Sequence, residues 1–443
     1  MDPSRSIERF RELLRIPTIS RSDETLTDWA PFDEFIAALP RLYPALHAAL
    51  SLEVIDGHSL LYRWAGSGNA APSVLMAHYD VVHATDEGWT HPPFAAELVG
   101  EGTDAVLWGR GAIDDKGALV SILEAAERLA EAGHVPAADV YLSFGHNEET
   151  AGGGAAAVAA VLEGRGIRPS LVLDEGGAVV EDIFPGVAGP IAVIGVSEKG
   201  IAGVSLTVEQ EGGHASTPPR FAATVRLARA IVRLNRTPFP AGFSSATLEM
   251  VRTLGAHSTG PLRFASRNLW LTRAVLLRLF SRLGVETSAM VRTTQAVTEL
   301  SGSGAANALA ERARATVNVR VAVGSSVAEA VAHIRRAVRD PLVKVEVIEA
   351  SEPSPISPSS GPAWDLLART IEYAYPGTIV TPYVQLGASD SRRFTGISEN
   401  VYRFSPFELS FDERAALHAM NERIRVATWL RGIDFYERLI SEL

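Results

Sequence analysis

There is no cysteine among the 443 residues, which removes disulfides, thiolate metal sites and cysteine nucleophiles together. No run of roughly 18 apolar residues appears, so no segment reads as a membrane span. The opening "MDPSRSIERFRELLRIPT" lacks the basic start and continuous apolar stretch of a secretory signal; it reads as a polar start and a short amphipathic helix. Lys/Arg runs are missing too, and a net charge of -11 argues against a nucleic-acid partner. What is present is ordinary for a soluble globular chain, 47% hydrophobic and 21% charged, enough to bury a core across two or three domains. A cytoplasmic enzyme is the expectation.

From Pro72 onward, short apolar strands alternate with helical patterning. "SVLMAH", "DVYLSFG" and "SLVLD" are compact runs bounded by polar residues or glycine, as in buried strands. Between the first two, "DDKGALVSILEAAERLAEAG" spaces its apolar residues for a helix that Gly133 ends. This βαβ rhythm predicts an α/β domain with a mainly parallel sheet covered by helices. Near Gly200 the character shifts, with strands expected at 201–209, 288–299, 313–323 and 343–350 and helices at 221–235 and 325–338. That content suits a small α+β domain inserted into the first. "SEPSPISPSSGP", residues 351–362, reads as a hinge. The expected organisation is a catalytic domain from 1–200 and 351–443, interrupted by an inserted domain over 201–350. Residues 261–284 carry five arginines and no acid among helically spaced apolar residues. Helix packing at a dimer seam, a wall for an acyl chain and a membrane-surface contact all fit that segment.

Four strand ends carry unusual polar residues. "VLMAHYDVV" holds His78 and Asp80, "WGRGAIDDKG" Asp114 and Asp115, "SFGHNEET" Glu148 and Glu149, and "LVLDEGG" Asp174 and Glu175. Singly, each is unremarkable: Asp114 could cap a helix, Glu148 and Glu149 could be solvated, and Asp174 could form a turn. Ligands of open α/β sheets bind beyond the carboxyl ends of strands, and there these motifs converge. Carboxylates so close cannot all stay ionised without compensation. Two divalent cations bring that compensation, and an imidazole with hard oxygen donors suits zinc, or cobalt or manganese in its place. His78 then reads as a metal ligand and Asp80 as the partner that fixes its tautomer.

In order along the chain, H-x-D, "GRGAIDDKG", "NEET", "LDEGG", "GGHASTPP" and "LHAMNE" resemble the motifs of the M20 family of dinuclear zinc peptidases and amidohydrolases. "GWTHPPF", "VSEKG", "AMVRTT", "RATVNVR" and "YRFSP" resemble the branch that includes carboxypeptidase S and the N-fatty-acyl amino acid synthase/hydrolase. The resemblance implies an inserted ferredoxin-like lid and dimerisation domain, a homodimer and two zinc ions per chain. It implies His78 and Asp174 on one ion, Glu149 and His418 on the other, and Asp114 bridging them, with a cis peptide at Asp114–Asp115. Glu148 would be general base and acid, with Asp80 orienting His78. His214 would reach the partner subunit's site, and Asn307, Arg320 and the Gly387 loop would hold substrate. Two departures stand out: "NALA" where the family commonly has N-V-x-P, and "GASDSRR" where the branch has G-N-T-D-S-R.

The implied activity is zinc-dependent hydrolysis of an amide next to a C-terminal amino acid, as in a carboxypeptidase or dipeptidase. An aminoacylase or reversible N-acyl amino acid synthase would use the same site, and a metal-binding but inactive interaction protein is the alternative of another class. An intact Glu148 counts against the last.

Overall fold

The computed structural model describes residues 3–181, 184 and 186–443. The chain forms two compact units: Met1–Val196 with Ser357–Tyr383 and Ser389–Leu443, and Ser197–Ile356 with Val384–Ala388. The second unit thus begins a few residues before the expected boundary, and it also takes in the Gly387 loop.

In the first unit the sheet runs in the order Ser51–Ile55, Ser59–Trp64, Val140–Gly145, Ser73–His78, Leu171–Val180, Val401–Glu408, Ile191–Glu198, Ile379–Gln385. Its four central strands, from Val140–Gly145 to Val401–Glu408, are parallel and the outer pairings resolved on either side are antiparallel. The Ser73–His78 strand is buried throughout, so its run of apolar residues serves both faces. Val74 and Met76 join Val158, Leu162 and Phe394 in the core under the Gly154–Gly164 helix, and pleating turns Leu75 to the other face. There the Lys116–Glu131 helix packs against the strand and against the helices Pro3–Leu14 and Val426–Glu442. Trp429 stacks on Phe10 at 4.7 Å and donates to the Gly117 carbonyl. This core leaves the carboxyl ends of the parallel strands free for polar side chains.

The second unit follows the order βαββαβ: Gly200–Glu209, Ala223–Asn235, Thr294–Ser301, Arg312–Val321, Val327–Val338, Lys344–Ser351. Its antiparallel sheet runs Thr294–Ser301, Arg312–Val321, Gly200–Glu209, Lys344–Ser351, the ferredoxin-like arrangement. The strand "RARATVNVRV" alternates strictly. Ala313, Ala315, Val317, Val319 and Val321 are buried with Leu227, Leu234 and Ile334 of the two helices, leaving Arg320 on the other face. Each such buried valine or leucine contributes about 1.5–3 kcal/mol.

The strand expected at 288–299 starts later, at Thr294, because Val285–Ala289 is helical. The helix Val285–Ala289 closes a four-helix excursion, after Ser245–His257, Gly260–Arg267 and Leu269–Leu283. The excursion leaves and re-enters the unit side by side, where Ala241 bridges Arg292 and the Gly242 amide donates to the Val291 carbonyl at 2.7 Å.

Candidate metal centre

His78 ends its strand with its ring buried. Its Nδ1–H donates to the Asp80 backbone carbonyl at 2.9 Å, with an Asp80 carboxylate oxygen 3.3 Å away. That leaves the Nε2 lone pair directed at Asp114 Oδ1, 3.0 Å away, and Glu175 Oε1, 3.8 Å away. Asp80 does more than orient the ring. Its carboxylate accepts from the Ser20 hydroxyl at 2.6 Å and from the Glu148 and Glu149 amides, each at 3.1 Å. One buried acid therefore ties the end of the His78 strand to the turn that carries both glutamates.

Asp114 sits between two histidines. Its other oxygen, Oδ2, lies 3.0 Å from His418 Nε2, which is itself 3.0 Å from Glu149 Oε2. Two groups result, His78–Asp114–Glu175 and Asp114–Glu149–His418, with Asp114 common to both. The Asp114–Asp115 peptide is cis. Asp115 precedes the Lys116–Glu131 helix without a side-chain cap, and its Oδ2 accepts from the His78 amide at 3.3 Å.

The sequence reading assigns Asp174 to the first group, whereas the group that forms beside His78 contains Glu175. Asp174 and Arg403 are paired across the sheet, but the next pair is Gly177 with Phe404. Glu175 and Gly176 form a bulge between them, of the kind that re-aims a side chain beside a site. Gly176 has φ +142°, a conformation suited to glycine. Glu175 consequently faces His78, whereas Asp174 Oδ2 accepts from the Ser391 amide at 2.7 Å. His418 lies outside a helix. The helix Phe411–Ala415 ends before it, and the histidine occupies a left-handed turn at φ +57°.

The charge balance tests whether ions belong here. Burial, then repulsion from Glu175, pushes the Glu148 carboxyl well above the carboxylate range. Burial chiefly raises Glu149 and Asp174 as well, and burial with the Asp114 charge carries Glu175 up to about 8. Asp390 rises to about 8 through burial and the Asp174 charge. It lies so close under Gly145 that a Cβ there would meet its Oδ2 at 2.6 Å. Hydrogen bonds to Asp114 and Glu149 lift His418 to about 10. Although burial opposes it, the surrounding carboxylates hold His78 well above its ordinary value. Glu149 Oε1 is buried without a partner. Each imidazole lone pair thus faces carboxylates across a gap that calls for a positive charge. The donor set fits two cations.

Several contributors have little signal of their own in the sequence. Glu422 is fully buried and accepts four N–H groups: Arg110 Nη1 at 2.6 Å, Gly111 at 3.0 Å, Ile113 at 2.8 Å and Asp114 at 3.1 Å. It clamps the Asp114 loop to the His418 turn. Lys116 is buried with Nζ on the Leu13 and Ile16 carbonyls, and burial lowers it to about 7.

The remaining candidates, His214, Asn307, Arg320 and Gly387, belong to the second unit. His214 and Asn307 are brought together by the ladder Gly213↔Leu309 and His214↔Ala308, and the Ala215 amide donates to the Asn307 carbonyl at 3.0 Å. The Ser216 amide donates to His214 Nδ1, so the neutral ring carries its proton on Nε2. Arg320 is half-buried, and Gly387 is exposed with open space where a Cβ would stand.

A sheet with a parallel centre, beside which strand and loop residues bring histidines and carboxylates into two adjoining groups, defines a metal-dependent hydrolase of the α/β class. The chain belongs to peptidase family M20/M25/M40, which it matches over residues 74–442, a metal-dependent family of peptidases and amidohydrolases. It is 34% identical over 441 residues to the human N-fatty-acyl-amino acid synthase/hydrolase PM20D1, covering 98% of this chain and 87% of that protein. It is 30% identical to carboxypeptidase S of Saccharomyces cerevisiae, covering 98% and 84% respectively. The fold is shared with the M20 family metallo-carboxypeptidase Sso-CP2 from Sulfolobus solfataricus, at a TM-score of 0.68, 17% identity and 98% coverage of both chains.

Proposed function

We propose that the protein hydrolyses the amide bond next to a C-terminal amino acid, as a carboxypeptidase or dipeptidase, with Glu148 as general base and two zinc ions as cofactor. His78, Asp114 and Glu175 would hold one ion, and Asp114, Glu149 and His418 the other. The observation that carries this reading is the shared Asp114, with one oxygen 3.0 Å from each of two histidine Nε2 atoms. Nitrogen and carboxylate donors suit zinc, and cobalt or manganese would accept the same set. When bound, the ions supply positive charge that acidifies a water and polarises the scissile carbonyl.

Glu148 takes the proton from that water as its oxygen attacks the carbonyl carbon. It then returns the proton to the leaving nitrogen as the C–N bond breaks. Asp80 fixes Glu148 through its backbone amide and keeps the His78 proton on Nδ1. His214 Nε2–H, acting in trans across the proposed homodimer, is the donor proposed for the developing oxyanion, and Asn307, Arg320 and the Gly387 backbone are proposed to bind substrate. Arg320 suits a free carboxylate because its planar fork pairs with both oxygens. Assembly as a homodimer is part of the proposal. The edge strand Thr294–Ser301, with Leu300 and Val297 exposed, offers unpaired backbone groups to a second copy.

A second reading is hydrolysis, or reversible synthesis, of N-acyl amino acids at the same centre, supported by the 34% identity to PM20D1. A panel of dipeptides, N-acyl amino acids and their C-terminal amides, assayed with zinc-loaded protein, separates the two. Both readings expect free acids to be cut and amides to be spared. Glu148→Gln should keep its metal and lose about 10²–10⁴-fold in kcat. Near wild-type turnover by that variant would remove Glu148 from its role.

A further inference from the structure

The helices Gly260–Arg267 and Leu269–Leu283 present an outer face that their own unit leaves uncovered. Leu276 and Phe280 anchor the second helix inward. Trp270 is 84% exposed, and Leu271, Val275, Leu279 and Leu283, at intervals of four, are 59%, 65%, 44% and 59% exposed. Residues four apart share a helix face, so those three leucines and one valine form one continuous apolar stripe. Phe264 on the preceding helix is 61% exposed. Arg263, Arg267, Arg273, Arg278 and Arg282 accompany these residues, and residues 261–284 include no acid. Among the described residues none of the five arginines takes part in an ion pair. In a chain with 52 acidic and 41 basic residues, this segment thus reverses the charge balance where it also exposes apolar side chains.

We propose that this face docks the protein on an anionic lipid bilayer surface, with the Leu271–Leu283 stripe entering the headgroup boundary and the arginines on lipid phosphates. Charge and shape select this occupant. A second copy meeting the face symmetrically would set five unpaired arginines against five more, which is repulsive. An acidic soluble protein would satisfy the arginines but would need an apolar groove as well. A bilayer with anionic headgroups offers negative charge at the surface and hydrocarbon just beneath it, the combination that basic amphipathic helices bind. The helix lies on the surface rather than through it, since among the described residues no helix is long and apolar enough to cross a membrane.

The test is co-sedimentation of the full chain with vesicles of phosphatidylcholine alone or with about one-third phosphatidylglycerol. Binding to the anionic vesicles should be about tenfold or more tighter, and should weaken as salt shortens the range of the charges. Leu271→Ser with Val275→Ser should weaken anionic-vesicle binding by about tenfold or more, and Arg278→Glu with Arg282→Glu should remove the lipid preference. All four side chains are exposed, and unchanged circular-dichroism melting verifies that each variant is folded. A Trp270→Phe variant should lose the blue-shifted part of the tryptophan emission that vesicles induce in the parent. Failure of the parent to bind, equal binding to neutral vesicles, or binding indifferent to both double variants would overturn the proposal. So would a lipid-free dimer that the apolar variants convert to monomer without any loss of vesicle binding, which would make this face a seam between copies.

Discussion

Glu422 is the position where a single atom exchange should be felt furthest. Its carboxylate receives four N–H groups, one of them from the buried Arg110 guanidinium and three from the backbone of residues 111, 113 and 114. Glu422→Gln conserves volume but leaves one oxygen for donors that now use two. The new NH2 faces N–H groups, and Arg110, 3% exposed, loses its counter-charge. Breaking a buried pair from one side costs about 3–5 kcal/mol. At roughly 2–4 °C per kcal/mol for a large domain, the melting temperature should fall on the order of 10 °C. Because the Asp114 amide is one of the four donors, metal affinity should fall too, by about 10–100-fold. The assay is thermal unfolding by circular dichroism with a parallel zinc titration. Glu53→Gln is the matched control: its pair with Arg165 is as short, at 2.6 Å, but half-exposed, so the loss should stay under about 1 kcal/mol. If Glu422→Gln melts with the wild type and binds zinc as tightly, the clamp described here does not hold the loop.

Glu175→Gln should lose one of two bound ions by elemental analysis, whereas Asp174→Asn should retain both; the reverse result would restore Asp174 as the ligand. Chelation should abolish turnover and lower the melting temperature, since the carboxylates are left to repel one another; a stable, active apoprotein would contradict the charge balance. Lys199, in the second unit, gives a pH signature. Burial and the Arg320 charge lower it from 10.5 to about 8, so between those values the unfolded chain holds the proton that the folded chain has lost. Stability should therefore rise with pH across that window, by about 2–3 kcal/mol relative to Lys199→Met. Parallel profiles for the two proteins in denaturant titrations would show that Lys199 is not perturbed.

Much of the architecture was legible because its patterns are local. The alternation in "RARATVNVRV" and the helical spacing after "DDKG" each report which face is buried, and both elements form where expected. His78 could be read as a ligand from the apolar run before it, whereas the roles of Asp114, Glu149 and His418 came only with the resemblance to the M20 family. The choice between Asp174 and Glu175 could not be made that way. Adjacent strand residues face opposite sides, and a bulge whose register depends on the Val401–Glu408 strand decides which one turns to His78. Glu422 was hidden for a related reason: "LHAMNE" displays the residue, but its partners are some three hundred residues earlier in the chain. The left-handed turn at His418 likewise arises from its tertiary setting.

The adjacent ends of the four-helix excursion have an evolutionary consequence. Gly242 and Val291 are already within one hydrogen bond of each other, so a short turn could join them and leave the βαββαβ order intact. Gain, loss or exchange of the intervening helices would be topologically silent for the ferredoxin-like frame. Its surroundings would have to adapt only where Lys199 donates to the Ala289 and Arg292 carbonyls and where the helices pack on the unit. An appendage hung from such a hinge can diversify at a pace of its own, acquiring new surface chemistry while the residues that hold the metal centre stay under separate selection.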